Sequence, residues 1–211
     1  MKSKDTLAPD YTRRINDVLD IAWRILKSRF VDGRHLMTKE APFQHYFAHI
    51  ISTVGESFCT KRDDLFLVDL ETKCDDVKGK TKYLDITCGF PNHKSSCAIE
   101  LKFKTAAQGA QDHGRIDAFV DIEALELVCK EKFKFGRFYM ITNSTPYVNE
   151  SKKGVGTVFR THDGAVVDPD TYHYDSVGRK HVYVTLENQY KFEWEKIEPW
   201  YFLQLNVNDS N

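Results

Sequence analysis

The sequence predicts an α/β or α+β fold in which a mixed central β-sheet is flanked by helices on both sides. Two segments with helical spacing come first, three strand-like segments come next, and a third helical segment then leads to a fourth strand. A strand, a helix and another strand in that order indicate a parallel crossover, whereas strands joined by short turns indicate antiparallel pairs. The chain has 211 residues, which is enough for one well-buried domain and short for two.

The two amino-terminal helices are predicted from apolar periodicity. Residues 10–30 place apolar side chains at helical spacing, and Asp32 and Gly33 then interrupt the pattern. A second helix is predicted from near Thr38, with Pro42 in its first turn, and its apolar stripe continues to Phe58.

From Leu65 the apolar period changes to that of strands. "LFLVDLET" and "TKYLDITCG" flank the turn-forming "KCDDVKGK", which predicts a hairpin or a meander. "PNHKSS" then leads into a third strand, "CAIELKFKT". "AAQGAQDHG" is predicted to be a loop or a frayed helix start, "RIDAFVDIEALELVCKE" a helix that packs on the sheet, and "GRFYMITNS" a fourth strand. Further short strands, "GVGTVF" and "HVYVTL", and an aromatic-rich end are expected after it.

These elements predict a single domain over residues 1–211. Its core is expected at about residues 38–143, preceded by residues 1–37 with the first helix and followed by strands and loops at 144–211. The amino terminus lacks the apolar segment of a signal peptide, and no run of about 18 apolar residues occurs. We therefore expect a cytoplasmic protein without a membrane partner.

Composition limits the function classes further. The formal net charge is −1, so binding of nucleic acid through bulk positive charge is not expected. A near-zero net charge still allows a local basic groove. The five cysteines are scattered without a CxxC pair, which indicates buried thiols rather than a disulfide framework or a structural zinc site.

Acidic residues lie within the two most strand-like segments. In "CAIELKFKT", alternation places Glu100, Lys102 and Lys104 on the face opposite the apolar side chains. In "KYLDITC", Leu84, Ile86 and Cys88 are predicted to form the apolar face, and Asp85 belongs to the polar face. If these strands are neighbours, Asp85 and Glu100 converge on one side of the sheet with Lys102 just beyond.

Two converging carboxylates repel each other unless a cation lies between them, and Mg²⁺ binds through one or two carboxylates plus water and substrate phosphate. A nearby lysine can stabilise transition-state charge or position a hydroxide. The alternative is that both strands expose amphipathic faces, on which Glu100 and Lys102 form an ordinary surface ion pair.

A third acid is expected on the second helix. On a helical wheel, Glu40 lies near the apolar stripe and Glu56 points to water, so Glu40 is the candidate and Gln44 its polar companion. The alternative for Glu40 is a first-turn acid stabilised by the helix dipole.

Asp85 followed by "IELK", with Glu100 and Lys102, resembles the motif of the PD-(D/E)xK nuclease superfamily. The resemblance covers residues 38–143, and Leu84 stands where the motif name has proline. It implies a restriction-endonuclease-like core in which Asp85 and Glu100 bind Mg²⁺, or Mn²⁺ in its place, helped by the carbonyl of Leu101. It also implies that Lys102 orients or activates the attacking water and that Glu40 joins the catalytic and metal-binding set.

The expected function is therefore a Mg²⁺-dependent endodeoxyribonuclease acting on double-stranded DNA. Restriction-type, sequence-specific cleavage by a homodimer is the leading expectation, with a cognate methyltransferase as a further expected partner. Two alternatives stay open: an inert DNA-binding or assembly module with a nuclease fold, and a structure-specific nuclease such as a junction resolvase or a transposition endonuclease.

Contacts to DNA phosphate are expected from Lys104, Gln108 and Arg115, which surround the start of the third helix. Helix capping and surface pairing are the alternative roles for these side chains.

Overall fold

The computed structural model describes residues 7–109, 111–175, 177–178 and 180–208, so the outermost residues of the predicted domain, 1–6 and 209–211, lie outside the described part. The helices described are α1 (Tyr11–Val31), α2 (Glu40–Glu56), α3 (Gln111–Glu131) and the short α4 (Thr145–Val148). The strands described are β1 (Leu67–Val77), β2 (Lys80–Phe90), β3 (Ser95–Lys104), β4 (Phe135–Thr142), β5 (Val166–Val167), β6 (Asp170–His173), β7 (Tyr183–Leu186), β8 (Tyr190–Lys191), β9 (Trp194–Ile197) and β10 (Trp200–Val207).

A six-stranded mixed sheet forms the centre, in the order β1-β2-β3-β4-β10-β9. β3 and β4 are parallel and are joined through α3, whereas the other neighbours are antiparallel. The predicted mixed sheet and its crossover are confirmed. The carboxyl-terminal segment supplies two strands of this sheet, so the sheet extends beyond the core expected at residues 38–143.

Helices α1 and α2 cover one face of the sheet. Trp23 of α1 is 5% exposed and lies at the centre of this layer, with ring centroids 4.7 Å from Tyr139 and 5.6 Å from Phe47. Burying a side chain of this size stabilises the fold by about 2–3 kcal/mol. The aromatic contacts therefore hold the two helices at a defined position above β3 and β4.

Helix α3 covers the other face together with the carboxyl-terminal elements. Its apolar side chains, among them Ile116, Phe119 and Ile122, are fully buried against Phe138 and Leu203 of the sheet. Helices thus lie on both faces, as predicted. No helix within the described residues is long and apolar enough to span a membrane.

The β1–β2 hairpin is longer than predicted because most of the segment interpreted as a turn belongs to β1. The turn itself consists of Lys78 and Gly79, which have φ angles of 53° and 71° and connect the paired residues Val77 and Lys80. Positive φ at both positions matches the twist of antiparallel strands, which explains a glycine at the second one.

One predicted strand is wrong. Within "GVGTVF" the structure has a 3₁₀ turn, Val155–Thr157, which comes directly after Gly154 at a φ angle of 73°. Thr157 donates to the carbonyl of Gly154 from its amide, at 3.1 Å, and from its hydroxyl, at 2.8 Å. These local bonds compete with a strand ladder because they use the same backbone acceptor.

Candidate active site

Strands β2 and β3 part at Asp85. Their ladder runs from Phe90 opposite Ser95 to Ile86 opposite Ile99 and goes no further along β2. Beyond it, the side chain of Asp85 accepts a hydrogen bond from the Leu101 amide at 2.7 Å. A carboxylate therefore takes the place of a backbone acceptor where the strands separate.

The same irregularity changes which way β2 side chains face. Leu84 packs in the cluster under α3, whereas Ile86 and Cys88 pack under α1 and α2, so the prediction that all three share a face is wrong for Leu84. In the neighbouring strand, Glu71 has a φ angle of 50° and is skipped in the β1–β2 ladder. The simple period of two does not continue across such an interruption.

The first turns of α2 reach into the gap between the strands. Gln44 Nε2 donates to the carbonyl of Asp85 at 2.7 Å, and Glu40 Oε2 accepts from the Phe103 amide at 3.2 Å. Glu56 is exposed at the far end of the helix. Glu40, with Gln44 beside it, is thus the helical acid that the structure places near Asp85.

Glu100 and Lys102 lie beneath α3 and not on a solvated face. Their side chains are only 1% and 12% exposed, so the surface ion pair considered as an alternative is wrong. The alternation predicted for β3 is confirmed, because Ile99 and Leu101 pack under the amino-terminal helices and Ala98 packs under α3. Buried charges need partners, and the structure provides them.

Two further residues complete the cluster, and sequence analysis did not include them. Asp121 of α3, 5% exposed, receives the ammonium of Lys102 2.5 Å from its Oδ2 and that of Lys82 2.8 Å from its Oδ1. Lys82 Nζ is also 3.1 Å from Glu100 Oε1, and Lys102 Nζ is 3.7 Å from Glu40 Oε1. A sequence signal for Asp121 existed: it is one of two acids, with Glu123, within the otherwise apolar run "AFVDIEAL".

The cluster contains four carboxylates and two ammonium groups, and their pKa values reflect this. Burial and then the charge of Asp121 raise the pKa of Glu100 well above its usual range. Burial also raises the pKa of Asp85. For Lys102, burial alone would lower the pKa, but the carboxylates of Asp121 and Glu40 raise it above its usual range. Lys102 therefore keeps its proton at neutral pH.

The donor set suits a hard divalent cation. Asp85 and Glu100 offer carboxylate oxygens, and Leu101 offers a carbonyl oxygen that already accepts from Lys102 at 3.0 Å. Glu100 Oε1 is buried and has no aligned hydrogen-bond donor among the described residues, although Lys82 Nζ lies 3.1 Å away, whereas Asp121 Oδ2 is in contact with Lys102 Nζ at 2.5 Å. Glu100 Oε1 therefore retains lone pairs that a cation can use.

The cluster is nevertheless not a preformed cage of three acidic ligands. Only one group among the described residues brings three His, Cys, Asp or Glu ligand atoms within 4.8 Å of one another, and it consists of Asp63, Asp64 and His93. Asp64 in that group is saturated, because it accepts from Tyr11 Oη at 2.7 Å and from the Thr60 amide at 2.7 Å, among other donors. We interpret that group as a structural hydrogen-bond centre.

The three residues expected to contact phosphate differ in their exposure to solvent. Lys104 is partly exposed at the end of β3. Gln108 is exposed, and its Oε1 accepts from the Thr105 amide at 2.9 Å in a capping box. Arg115 is 2% exposed, donates to the carbonyl of Pro146 and lies 5.9 Å from the ring centroid of Tyr147. The prediction that Arg115 contacts DNA is therefore wrong, because packing under α4 removes it from the surface.

Comparisons with protein-family models, with curated proteins and with solved structures found no match to this chain.

Proposed function

We propose that the protein is a Mg²⁺-dependent endonuclease that hydrolyses phosphodiester bonds of double-stranded DNA. One observation carries this proposal: charged side chains meet where β2 and β3 part, and the middle of the group is withdrawn from water. Glu100 and Asp121 are buried, Asp85 and Lys102 are partly buried, and the Glu40 side chain is 39% exposed at the edge of the group. Holding so many charges away from water costs stability, and such arrangements cluster at functional sites.

Asp85, Glu100 and the Leu101 carbonyl would hold the metal. When bound there, the metal supplies Lewis-acid polarisation of the phosphodiester and lowers the pKa of a bound water. The protein's part is to orient the carboxylates, and the Leu101 amide serves this purpose by donating to Asp85, which also opposes the rise in the pKa of Asp85 that burial causes.

Lys102 acts as a protonated group. Its ammonium is held by Asp121 and Glu40, whose carboxylates lie 2.5 and 3.7 Å away. A lysine so paired donates hydrogen bonds and stabilises negative charge on a phosphate, and it is a poor proton acceptor. Of the two roles expected for Lys102, orientation of the attacking water is therefore the one we propose.

Restriction-type cleavage belongs to the same proposal. A single active site cuts a single strand, so cutting a duplex at one position calls for two copies of the chain, and we propose a homodimer. Sequence-specific defence would also require protection of host DNA, for which a cognate methyltransferase is the expected partner.

An inert module that binds DNA or assembles with other proteins is the second candidate. It is favoured by the ion pairs of Lys82 and Lys102 with the buried acids, because these partly compensate the charges without a metal.

Cleavage of supercoiled plasmid in Mg²⁺ or in EDTA tests the proposal. We compare wild type with Glu100→Gln and use Glu131→Gln, an exposed acid at the end of α3, as the matched control. We expect cutting by wild type and Glu131→Gln in Mg²⁺ alone, and a loss of about 10³-fold or more in Glu100→Gln.

Other outcomes favour one of the alternative functions or refute the proposal. Intact DNA that is shifted on a gel by all three proteins supports the inert module, and preferential cutting of four-way junctions supports a structure-specific nuclease. Intact and unshifted DNA with every substrate refutes the nuclease proposal.

A further inference from the structure

Lys82 bridges two buried carboxylates at the edge of the candidate active site. Its ammonium lies 3.1 Å from Glu100 Oε1 and 2.8 Å from Asp121 Oδ1. Lys82 reaches this place because β2 changes its facing at Asp85, which directs the residues before it toward α3. If the alternation of β2 continued without interruption from Ile86, Lys82 would lie on the face covered by α1 and α2.

Glu100 is shared between two acidic neighbours. With Asp85 it forms the pair to which the proposed function assigns the metal, and with Asp121 it forms a second pair. Both members of the second pair are buried, at 1% and 5% exposure. Two buried carboxylates on either side of one position need a cation there, because their mutual repulsion is strong in a poorly screened environment.

The hydrogen-bond pattern indicates that this position suits a cation of another kind as well. Lys82 Nζ donates to Asp121 Oδ1 at 2.8 Å and lies 3.1 Å from Glu100 Oε1, which is buried and has no aligned hydrogen-bond donor among the described residues. Lys82 therefore neutralises Glu100 without saturating its Oε1, whereas Asp121 Oδ2 is occupied by Lys102 Nζ, 2.5 Å away. A divalent ion prefers such carboxylate oxygens as ligands.

We propose that Lys82 is a built-in cation that occupies a second cation position between Glu100 and Asp121, so that the site takes one divalent metal and not two. This inference rests on the metal site of the proposed function. It makes Lys82 a positioning residue, which acts by holding Glu100 and Asp121, and it predicts that loss of the ammonium opens a second metal position.

Counting bound Mn²⁺ per chain tests the inference without reference to cleavage. Electron paramagnetic resonance measures free Mn²⁺ during titration of wild type, Lys82→Ala, Lys82→Arg and the double variant Lys82→Ala, Asp121→Asn. The matched control is Lys80→Ala, an exposed lysine on the same strand. We expect one Mn²⁺ for wild type, Lys82→Arg and Lys80→Ala, two for Lys82→Ala, and one again for the double variant.

The outcomes separate this inference from the proposed function. One Mn²⁺ in both wild type and Lys82→Ala overturns the inference and leaves the proposed metal site standing, whereas no Mn²⁺ in wild type overturns both. If Lys82→Ala is unfolded without metal, circular dichroism monitors the same titration: recovery of the fold at two Mn²⁺ per chain supports the inference, and no recovery overturns it.

Discussion

Replacement of Glu126 should release the carboxyl-terminal segment from α3. Glu126 is 1% exposed, and its Oε1 accepts from Tyr190 Oη at 2.7 Å and from the Asn188 side chain at 2.8 Å. Its carboxylate also accepts from the amides of Glu187 and Asn188, at 2.8 and 2.9 Å. One buried carboxylate thus fixes the whole turn between β7 and β8.

The loss of stability depends on which of these donors can form hydrogen bonds to water once the carboxylate is removed. Hydrogen bonds to a charged group contribute about 1.5–3 kcal/mol each, but the amides of Glu187 and Asn188 lie in an exposed turn and can be hydrated after the change. Tyr190 is buried and loses its partner outright. We therefore expect Glu126→Ala to lower the free energy of unfolding by about 3–5 kcal/mol, and Glu126→Gln by about 1–2 kcal/mol because one oxygen is retained.

Urea denaturation monitored by circular dichroism measures these differences. For a chain of this length, a loss of about 3–5 kcal/mol corresponds to a midpoint of thermal unfolding lower by about 6–20 °C. Glu131→Ala, an exposed acid on the same helix, is the control and should change the free energy by less than about 0.5 kcal/mol. If Glu126→Ala is no more destabilised than the control, the turn does not depend on this carboxylate and our account of the segment is refuted.

Three further predictions concern a second buried carboxylate, a tight packing contact and the helical acid. Burial alone would raise the pKa of Asp64, but hydrogen bonds, that from the Lys61 amide first, lower it far below the usual range. The ionised Asp64 therefore stabilises the fold fully above its unfolded pKa of about 4, and this stabilisation is lost as pH falls through the folded pKa. Asp64→Asn should make the free energy of unfolding, measured by urea titration, depend less on pH below about 4. An unchanged pH dependence would contradict this. A Cβ on Gly114 would lie 2.1 Å from Tyr147 Oη, so Gly114→Ala should cost about 1–3 kcal/mol; an unaltered thermal midpoint would count against the packing described. Glu40→Gln keeps an oxygen for the Phe103 amide but removes a charge beside Lys102, so under the proposed function we expect about 10–100-fold slower plasmid cleavage with an unchanged thermal midpoint, and full activity would refute a role for Glu40.

Local periodicity was sufficient for most of the architecture. Apolar spacing located α1, α2 and α3, and the change of period at Leu65 located the first strands and the parallel crossover to β4. It also brought Glu40 and Glu100 into the candidate site, because a helical wheel and strand alternation depend only on neighbouring residues. The facing of a side chain on a regular helix or strand can therefore be predicted from the sequence alone.

The remaining features depend on residues far apart in the chain. Lys82 faces α3 only because the ladder breaks at Asp85, and Asp121 enters the site only because α3 packs across β3. Arg115 is buried by α4, and β10 joins the sheet beside β4, which lies some sixty residues earlier. Local periodicity therefore accounts for most of the elements and for the motif acids. Irregular backbone and long-range packing interrupt that periodicity, so they set which charges surround the motif acids.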